Sequence, residues 1–304
     1  MPTESAFDLA ARRLLPPLAL VAALLAPGAA RAAGASDDTC TLAAMPAADA
    51  LVRVPFDVID GRIYVQVRVD GRGPYRFAVD TGASGLARAD ASLVAALDLP
   101  VRGTASTSDG VQDATVDTTH LASLELGGLV RHDFDVITRD YRSRKSPESA
   151  FSGILAREFF ADGLLVLDYP RRTLSFSRAR GLSPDATNAL AYERAFRVPV
   201  AIGDVQVQGN LDTGANVNFV LPRTLYERVS AGPLLAAAPG QLTNGAVAAD
   251  RATVHGPFRI GGVSIADVEV RVSDRYPELL VGAHALQDHV LLIDQRSQRV
   301  AVCP

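Results

Sequence analysis

The sequence predicts an all-β protein, mainly strands with a few short helices, built as one lobe used twice. Three observations carry that expectation. Three landmarks recur in the same order along the 304 residues at nearly constant spacing. Apolar residues alternate at period two over short stretches. Gly 24 and Pro 18 punctuate the chain often, which suits strands and turns better than long helices.

The first landmark is Phe77-Ala78-Val79-Asp80-Thr81-Gly82-Ala83-Ser84, which returns 132 residues later as Gly209-Asn210-Leu211-Asp212-Thr213-Gly214-Ala215-Asn216. The second is Leu124-x-Leu126-Gly127-Gly128-Leu129, which returns as Phe258-x-Ile260-Gly261-Gly262-Val263. The third runs from Ile154-Leu155-Ala156 to Leu164–Asp168 and aligns without gaps on Leu280-Val281-Gly282 to Val290–Asp294. About eight extra residues near 141–150 distinguish the first copy, and Arg142, Arg144 and Lys145 make that stretch a solvated loop by expectation. The copies give a first lobe over 52–178 and a second over 195–304. A linker over 179–194, with Gly181, Pro184, Asp185 and Asn188, joins them.

Within the first copy, Ile63-Val65-Val67-Val69 alternates, and Asp70–Gly73 turns the chain into Tyr75–Val79. In the second, Val198–Ile202 and Val205–Leu211 flank Gly203-Asp204. Short helices are expected over Asp90–Leu97, Arg157–Ala161, Leu221–Val229 and Ala283–Asp288. Asp109-Gly110 and Asn244-Gly245 suit hairpin turns at corresponding places.

The first 35 residues differ in kind. Arg12 and Arg13 precede an apolar run from Leu14 to Ala26, and small residues follow at Ala30-Arg31-Ala32 and Ala33-Gly34-Ala35. This order describes a secretory signal. The run is too short for a membrane span and Pro16-Pro17 interrupts it, so no membrane anchor is expected after cleavage. A lead over 36–51 follows, with a bacterial periplasm as the expected location. Cys40 and Cys303 are the only cysteines; an even pair in an exported chain reads as a disulfide, with two unpaired thiols as the alternative.

A net charge of −4 argues against a nucleic-acid partner. Two cysteines at opposite ends make a poor zinc site, and nothing near His284 and His289 completes a metal site, so no metal or cofactor is expected.

A strand ending in Asp-Thr-Gly sets a carboxylate at a tight turn. One such tripeptide is weak; two at matched places in a repeat are far stronger. With these residues in hand, the chain resembles the aspartic peptidases, and within them a fused pair of retropepsin-like lobes. The resemblance spans about residues 52–304 and implies a bilobal aspartic-protease-like fold of two pseudo-symmetric β-barrel lobes. Leu280-Val281-Gly282 matches the element that packs beneath each aspartate in that family, and Ile154-Leu155-Ala156 nearly does.

The resemblance implies Asp80 and Asp212 as a catalytic dyad. Thr81 and Thr213 would bond across the lobes, and Gly82 and Gly214 would complete the loops. Two close carboxylates cannot both ionise cheaply, so they share a proton. Ser84 could donate toward Asp80, whereas Asn216 stands at the matching place. Gly85, Arg88 and Ala156 depart from the family pattern. Ala83 and Ala215 offer no side-chain donor to lower a carboxylate pKa, so activity is expected at mildly acidic to near-neutral pH.

The expected function is an exported aspartic endopeptidase, active as a monomer, with a peptide or protein substrate in the interlobe cleft. The alternative is a catalytically inactive peptide-binding protein on the same fold.

Overall fold

The structure is a computed structural model, and it describes residues 38–143, 146–194, 196–230 and 232–304. The expected secretory signal and its cleavage site lie outside the described residues. Among those described, no helix is long and apolar enough to cross a membrane. Most of the chain is strand, in a two-lobe layout.

The first lobe is an eight-stranded sheet that curls onto itself. Arg62–Val69, Arg72–Asp80, Gly153–Ala156, Ala87–Asp90, Leu129–Arg139 and Asp113–Leu126 follow one another round the ring. The pairs Arg68 with Glu125 and Val69 with Leu124 close it. In the second lobe the corresponding ring uses Arg197–Ile202, Val205–Asp212, Leu279–Gly282, Phe219–Pro222 and Val268–Ser273. Its last member is interrupted: Asp250–Val254 and Phe258–Ile260 stand where the first lobe has one continuous strand, and His255-Gly256-Pro257 separates them. Proline offers no amide to the ladder, so the strand breaks there.

Each Asp-Thr-Gly strand pairs in parallel with the apolar element from the third landmark. Asp80 stands opposite Ala156 and Asp212 opposite Gly282. The departure at Ala156 has a local cause. A β-carbon at Gly282 would drive into the carbonyl oxygens of Val217 and Ala215. The first-lobe loop holds the Ala156 amide at the matching place, on the Leu86 carbonyl as Asn218 holds Gly282, but it passes through Gly85 at φ +89° where the second lobe has Val217.

The lobes share a six-stranded sheet at their junction. Leu164–Asp168 pairs antiparallel with its own repeat counterpart, Val290–Asp294. Val166 lies opposite Leu292, its equivalent in the other copy, so the pseudo-two-fold axis passes between them. Both faces of this sheet are covered. Leu165, Leu167, Leu291 and Ile293 face the main core, while Leu164, Val166, Val290 and Leu292 face a second apolar cluster with Met45 and Leu182. Burial on both faces explains why these runs are continuously apolar.

The lead over 38–51 covers the outer face as two short 3₁₀ turns, Thr39–Ala44 and Ala47–Asp49. The expected disulfide joins Cys40 to Cys303, with Cα atoms 5.7 Å apart. The linker is not wholly irregular: Leu190–Ala191 adds an edge strand against Arg299–Cys303.

The short helices form as Ala91–Leu97, Arg157–Phe160 (a 3₁₀ turn), Arg223–Val229 and Ala283–Leu286. Asp90 caps the first of them through the Ser92 amide at 2.9 Å. Leu221 and Pro222, expected at the start of the third, stay in the preceding strand.

Candidate active site

The two Asp-Thr-Gly loops meet at the pseudo-two-fold axis and bond to each other through the threonines. Thr81 Oγ1 donates to the Leu211 carbonyl at 3.0 Å and accepts from the Thr213 amide at 3.0 Å. Thr213 Oγ1 donates to the Val79 carbonyl at 2.8 Å and accepts from the Thr81 amide at 3.1 Å. Both threonines are buried, so four hydrogen bonds here tie one lobe to the other in a water-poor setting.

This lock sets the aspartates face to face. Each carboxylate lies against the glycine of the other lobe's loop, Asp212 against Gly82 and Asp80 against Gly214. A β-carbon on Gly82 would lie 2.6 Å from Asp212 Cγ, so glycine is required for the close approach. Each carboxylate takes one backbone donor from its own loop: Ala83 N to Asp80 Oδ1 at 2.9 Å, and Gly214 N to Asp212 Oδ1 at 2.8 Å. Burial and the adjacent Asp80 raise the Asp212 pKa to about 7; the Gly214 amide and the Arg62 charge work against that rise. The proton belongs to the pair rather than to one residue.

Of the other motif residues, Asn216 is engaged and Ser84 is not. Ser84 is exposed and makes no hydrogen bond to Asp80, so the donation expected of it is corrected. Gly85 carries the loop away at positive φ, and the Ala83 amide takes the place of a hydroxyl donor.

Several residues escaped the sequence reading. Asp60-Gly61 forms a two-residue turn with positive φ at both positions, between Asp57–Ile59 and Arg62–Val69. It aims Arg62 across the lobe boundary. Arg62 Nε donates to the Gly214 carbonyl at 2.6 Å, and Nη2 to Asn216 Oδ1 at 2.8 Å. Asn216 in turn donates to Asp60, which also faces His284 Nε2 at 3.0 Å. Burial pushes the Asp60 carboxyl up, but Asn216, His284 and Arg62 outweigh it and hold the pKa below its ordinary value. The turn signal was readable; its reach into the other lobe was not. The first-lobe loop is held otherwise, by Arg157 Nη1 on the Gly82 carbonyl at 3.3 Å.

Each lobe also sends a tyrosine toward its aspartate. Tyr141 feels the Asp80 charge, and Tyr276 feels Asp212 and Asp109; burial is the main cause of the raised pKa in both. Tyr141 lies at the start of the loop expected to be solvated, where Arg142 and Ser143 are exposed but Tyr141 packs inward beside Phe151. Asp168 and Asp294 serve turns, accepting from the Arg171 amide and from the Leu182 and Arg296 amides.

The two expected hairpins form and touch each other. The Asn244 amide donates to Asp109 Oδ2 at 2.7 Å, and Asn244 Nδ2 to the Thr107 carbonyl at 3.3 Å. Among the described residues, no group of three or more His, Cys, Asp or Glu side chains is gathered in a metal-binding arrangement.

No curated protein matches the chain. A family model described as aspartyl protease matches it twice, over residues 65–159 and 198–292, one match in each lobe and each containing one Asp-Thr-Gly. Together the matches take in more than half of the sequence, and the chain belongs to the aspartyl protease family, in its two-lobed retropepsin-like form.

Proposed function

We propose that this protein is an exported aspartic endopeptidase in which Asp80 and Asp212 activate one water molecule. The observation that carries the reading is the pair of carboxylates at equivalent loops of the two lobes, each packed against the glycine of the opposite loop. With one proton between them, the ionised carboxylate takes a proton from the water as its oxygen attacks the scissile carbonyl carbon. The protonated carboxyl donates to the carbonyl oxygen. Collapse of the tetrahedral adduct breaks the C–N bond, and the proton held by the dyad passes to the leaving nitrogen. Neither a metal nor a covalent intermediate enters this scheme.

The threonine bonds support it by fixing both loops before substrate arrives, so that little reorganisation accompanies the reaction. The hairpins over Thr107–Val111 and Leu242–Ala246 suit a cover that excludes water and bonds an extended peptide. One chain supplies both aspartates, so a monomer suffices. The disulfide and the signal-like first 35 residues favour an oxidising compartment, which we take to be a bacterial periplasm.

The test is cleavage of a denatured protein by the wild type, Asp80→Ala and Asp212→Ala. Both variants are expected to lose hydrolysis, and a pepstatin-like transition-state mimic is expected to raise the thermal midpoint of the wild type. Hydrolysis that persists in either variant would remove the dyad mechanism. Peptide binding with no hydrolysis by the wild type would favour a binding protein.

A further inference from the structure

The two lobes differ in one residue on the strand beside each Asp-Thr-Gly element. In the second lobe, Val220 stands opposite Leu280 on the strand next to the Asp212 pair. In the first lobe the matching residue, opposite Ile154, is Arg88. Its neighbours Ala87 and Ala89 enter the main core, so strand alternation sends Arg88 to the other face of the sheet. That face carries Asp80. Arg88, Ile154, Ala78 and Tyr64 form one cross-strand row, and Ala78 precedes Asp80 by two residues on the same face.

Arg88 is only 7% exposed. Its Nε is buried and donates to nothing, and among the described residues it is in no ion pair. The nearest acid on its own strand, Asp90, is already committed to the Ser92, Tyr141 and Arg142 amides. Arg139 follows on the same face, beside Asp90. It spends one nitrogen on the Thr243 carbonyl of the second-lobe hairpin, while Nε and Nη2 remain buried without a partner. Both guanidinium groups act on the Tyr141 hydroxyl, which also feels Asp80. Tyr64, Phe151 and Ile154 form an apolar sheath around the site. A buried cation with unmade donors is costly unless an anion completes it, and a guanidinium presents its donors in the fork that a carboxylate matches.

We propose that Arg88, with Arg139 behind it, determines specificity in a first-lobe subsite that takes a carboxylate of the peptide substrate. This rests on the peptidase reading above and narrows its substrate class. Arg88 lies two strands from the Asp80 strand, about 10 Å at ordinary strand spacing, which is roughly three residues of an extended peptide. The carboxylate is therefore an Asp or Glu side chain within about three residues of the scissile bond, or the peptide's own C-terminus. The second-lobe pocket, walled by Val220 and Leu280, takes an apolar side chain.

Matched peptides carrying Glu or Gln at each position flanking the cleaved bond test this, each as free acid and as C-terminal amide. At one position the wild type is expected to cleave the Glu peptide at least about tenfold better in kcat/KM. Arg88→Met is expected to bring that ratio to within about twofold while still cleaving the Gln peptide. Arg88→Lys, which keeps the charge but not the fork, is expected to retain part of the preference. A preference lost on amidation assigns the carboxylate to the chain end and still supports the subsite. Equal cleavage of Glu and Gln peptides, free acids and amides alike, overturns the proposal, as does a preference unchanged in Arg88→Met.

If Arg88→Met fails to fold, judged by its thermal melt, Arg88→Lys and the wild-type profile decide. If the wild type cleaves nothing, the peptidase reading fails separately. The subsite is then read from binding of fluorescent Glu and Gln peptides to the wild type, where equal Kd values would overturn it.

Discussion

At the scale of single residues, the Asp212 proton has consequences that run in a definite direction. Its pKa is raised by burial and by Asp80 to about 7, so the singly protonated pair persists into the neutral range. Activity is expected to fall as pH rises through about 7, because the form able to donate to the carbonyl oxygen is lost; a pH–rate profile on one peptide checks this. A limb that appears only above about pH 9 would contradict the assignment. Stability moves with the same shift. The folded state keeps a proton that the unfolded chain releases near 3.8, so this contribution is complete below 3.8 and is lost as pH rises toward 7. Urea midpoints at pH 4 and pH 7.5 in Asp212→Asn, compared with the wild type, isolate it.

The threonine lock is the other residue-scale prediction. Thr81→Val keeps the shape but removes one donor and one acceptor, leaving the Leu211 carbonyl and the Thr213 amide without these partners in a buried site. A loss of about 2–4 kcal/mol is expected from two orphaned groups, with Thr81→Ser much milder. Chemical denaturation of the three proteins is the measurement.

Arg62, Asp60 and the hairpins act at the scale of elements. The Asp60-Gly61 turn works as a prop: it delivers a first-lobe guanidinium to the second-lobe Asp-Thr-Gly loop. Arg62→Met removes the two bonds to Gly214 and Asn216, and kcat is expected to fall by about tenfold or more with KM little changed. The reason is that geometry at the dyad, rather than peptide binding, depends on that loop. The hairpin tips are coupled differently, since Asn244 bonds to Asp109 and Thr107 across the gap. Asn244→Ala removes the side-chain bonds to the Thr107 and Gln112 carbonyls, and Asp109→Ala removes the bond from the Asn244 backbone amide. Both are expected to raise KM, and the double variant to cost less than the two singles together, because both loosen the same contact between the tips. Steady-state kinetics of the cycle tests this; strict additivity would mean that the tips do not act as a unit. The element pattern itself was largely readable. Ile63–Val69 alternates because one face meets the core, and the Asp-Gly and Asn-Gly turns announce their hairpins. What could not be read was that the two tips meet, since hairpin chemistry is local and their meeting is not.

The molecule as a whole is a repeat closed on itself. The shared sheet pairs Leu164–Asp168 with Val290–Asp294 about the pseudo-two-fold axis, and the lead over 38–51 covers its outer face. Cys40 and Cys303, 263 residues apart in sequence, hold that cover in place. Replacing both with Ser is expected to cost about 2–4 kcal/mol and to lower the thermal midpoint, with hydrolysis at low temperature largely kept because the dyad lies away from the bridge. A thermal melt with and without reductant, read beside activity, checks both halves.

The sequence alone determined the repeat, the mainly-β class and the family, and it offered its only two cysteines as a pair that the structure joins. Each rests on local pattern or on counting: period-two alternation, Gly and Pro punctuation, a recurring tripeptide, an even pair of thiols. Tertiary structure alone decided the rest. Ser84 is exposed and leaves Asp80 to the Ala83 amide. Arg62 serves the opposite lobe. Arg88, which alternation would allow on either face, points to the side of Asp80 because Ala87 and Ala89 fill the core. For Arg62 and Arg88 the physical reason is the same. The direction of a side chain in a strand follows from which face is buried, and that is decided by segments far away in sequence.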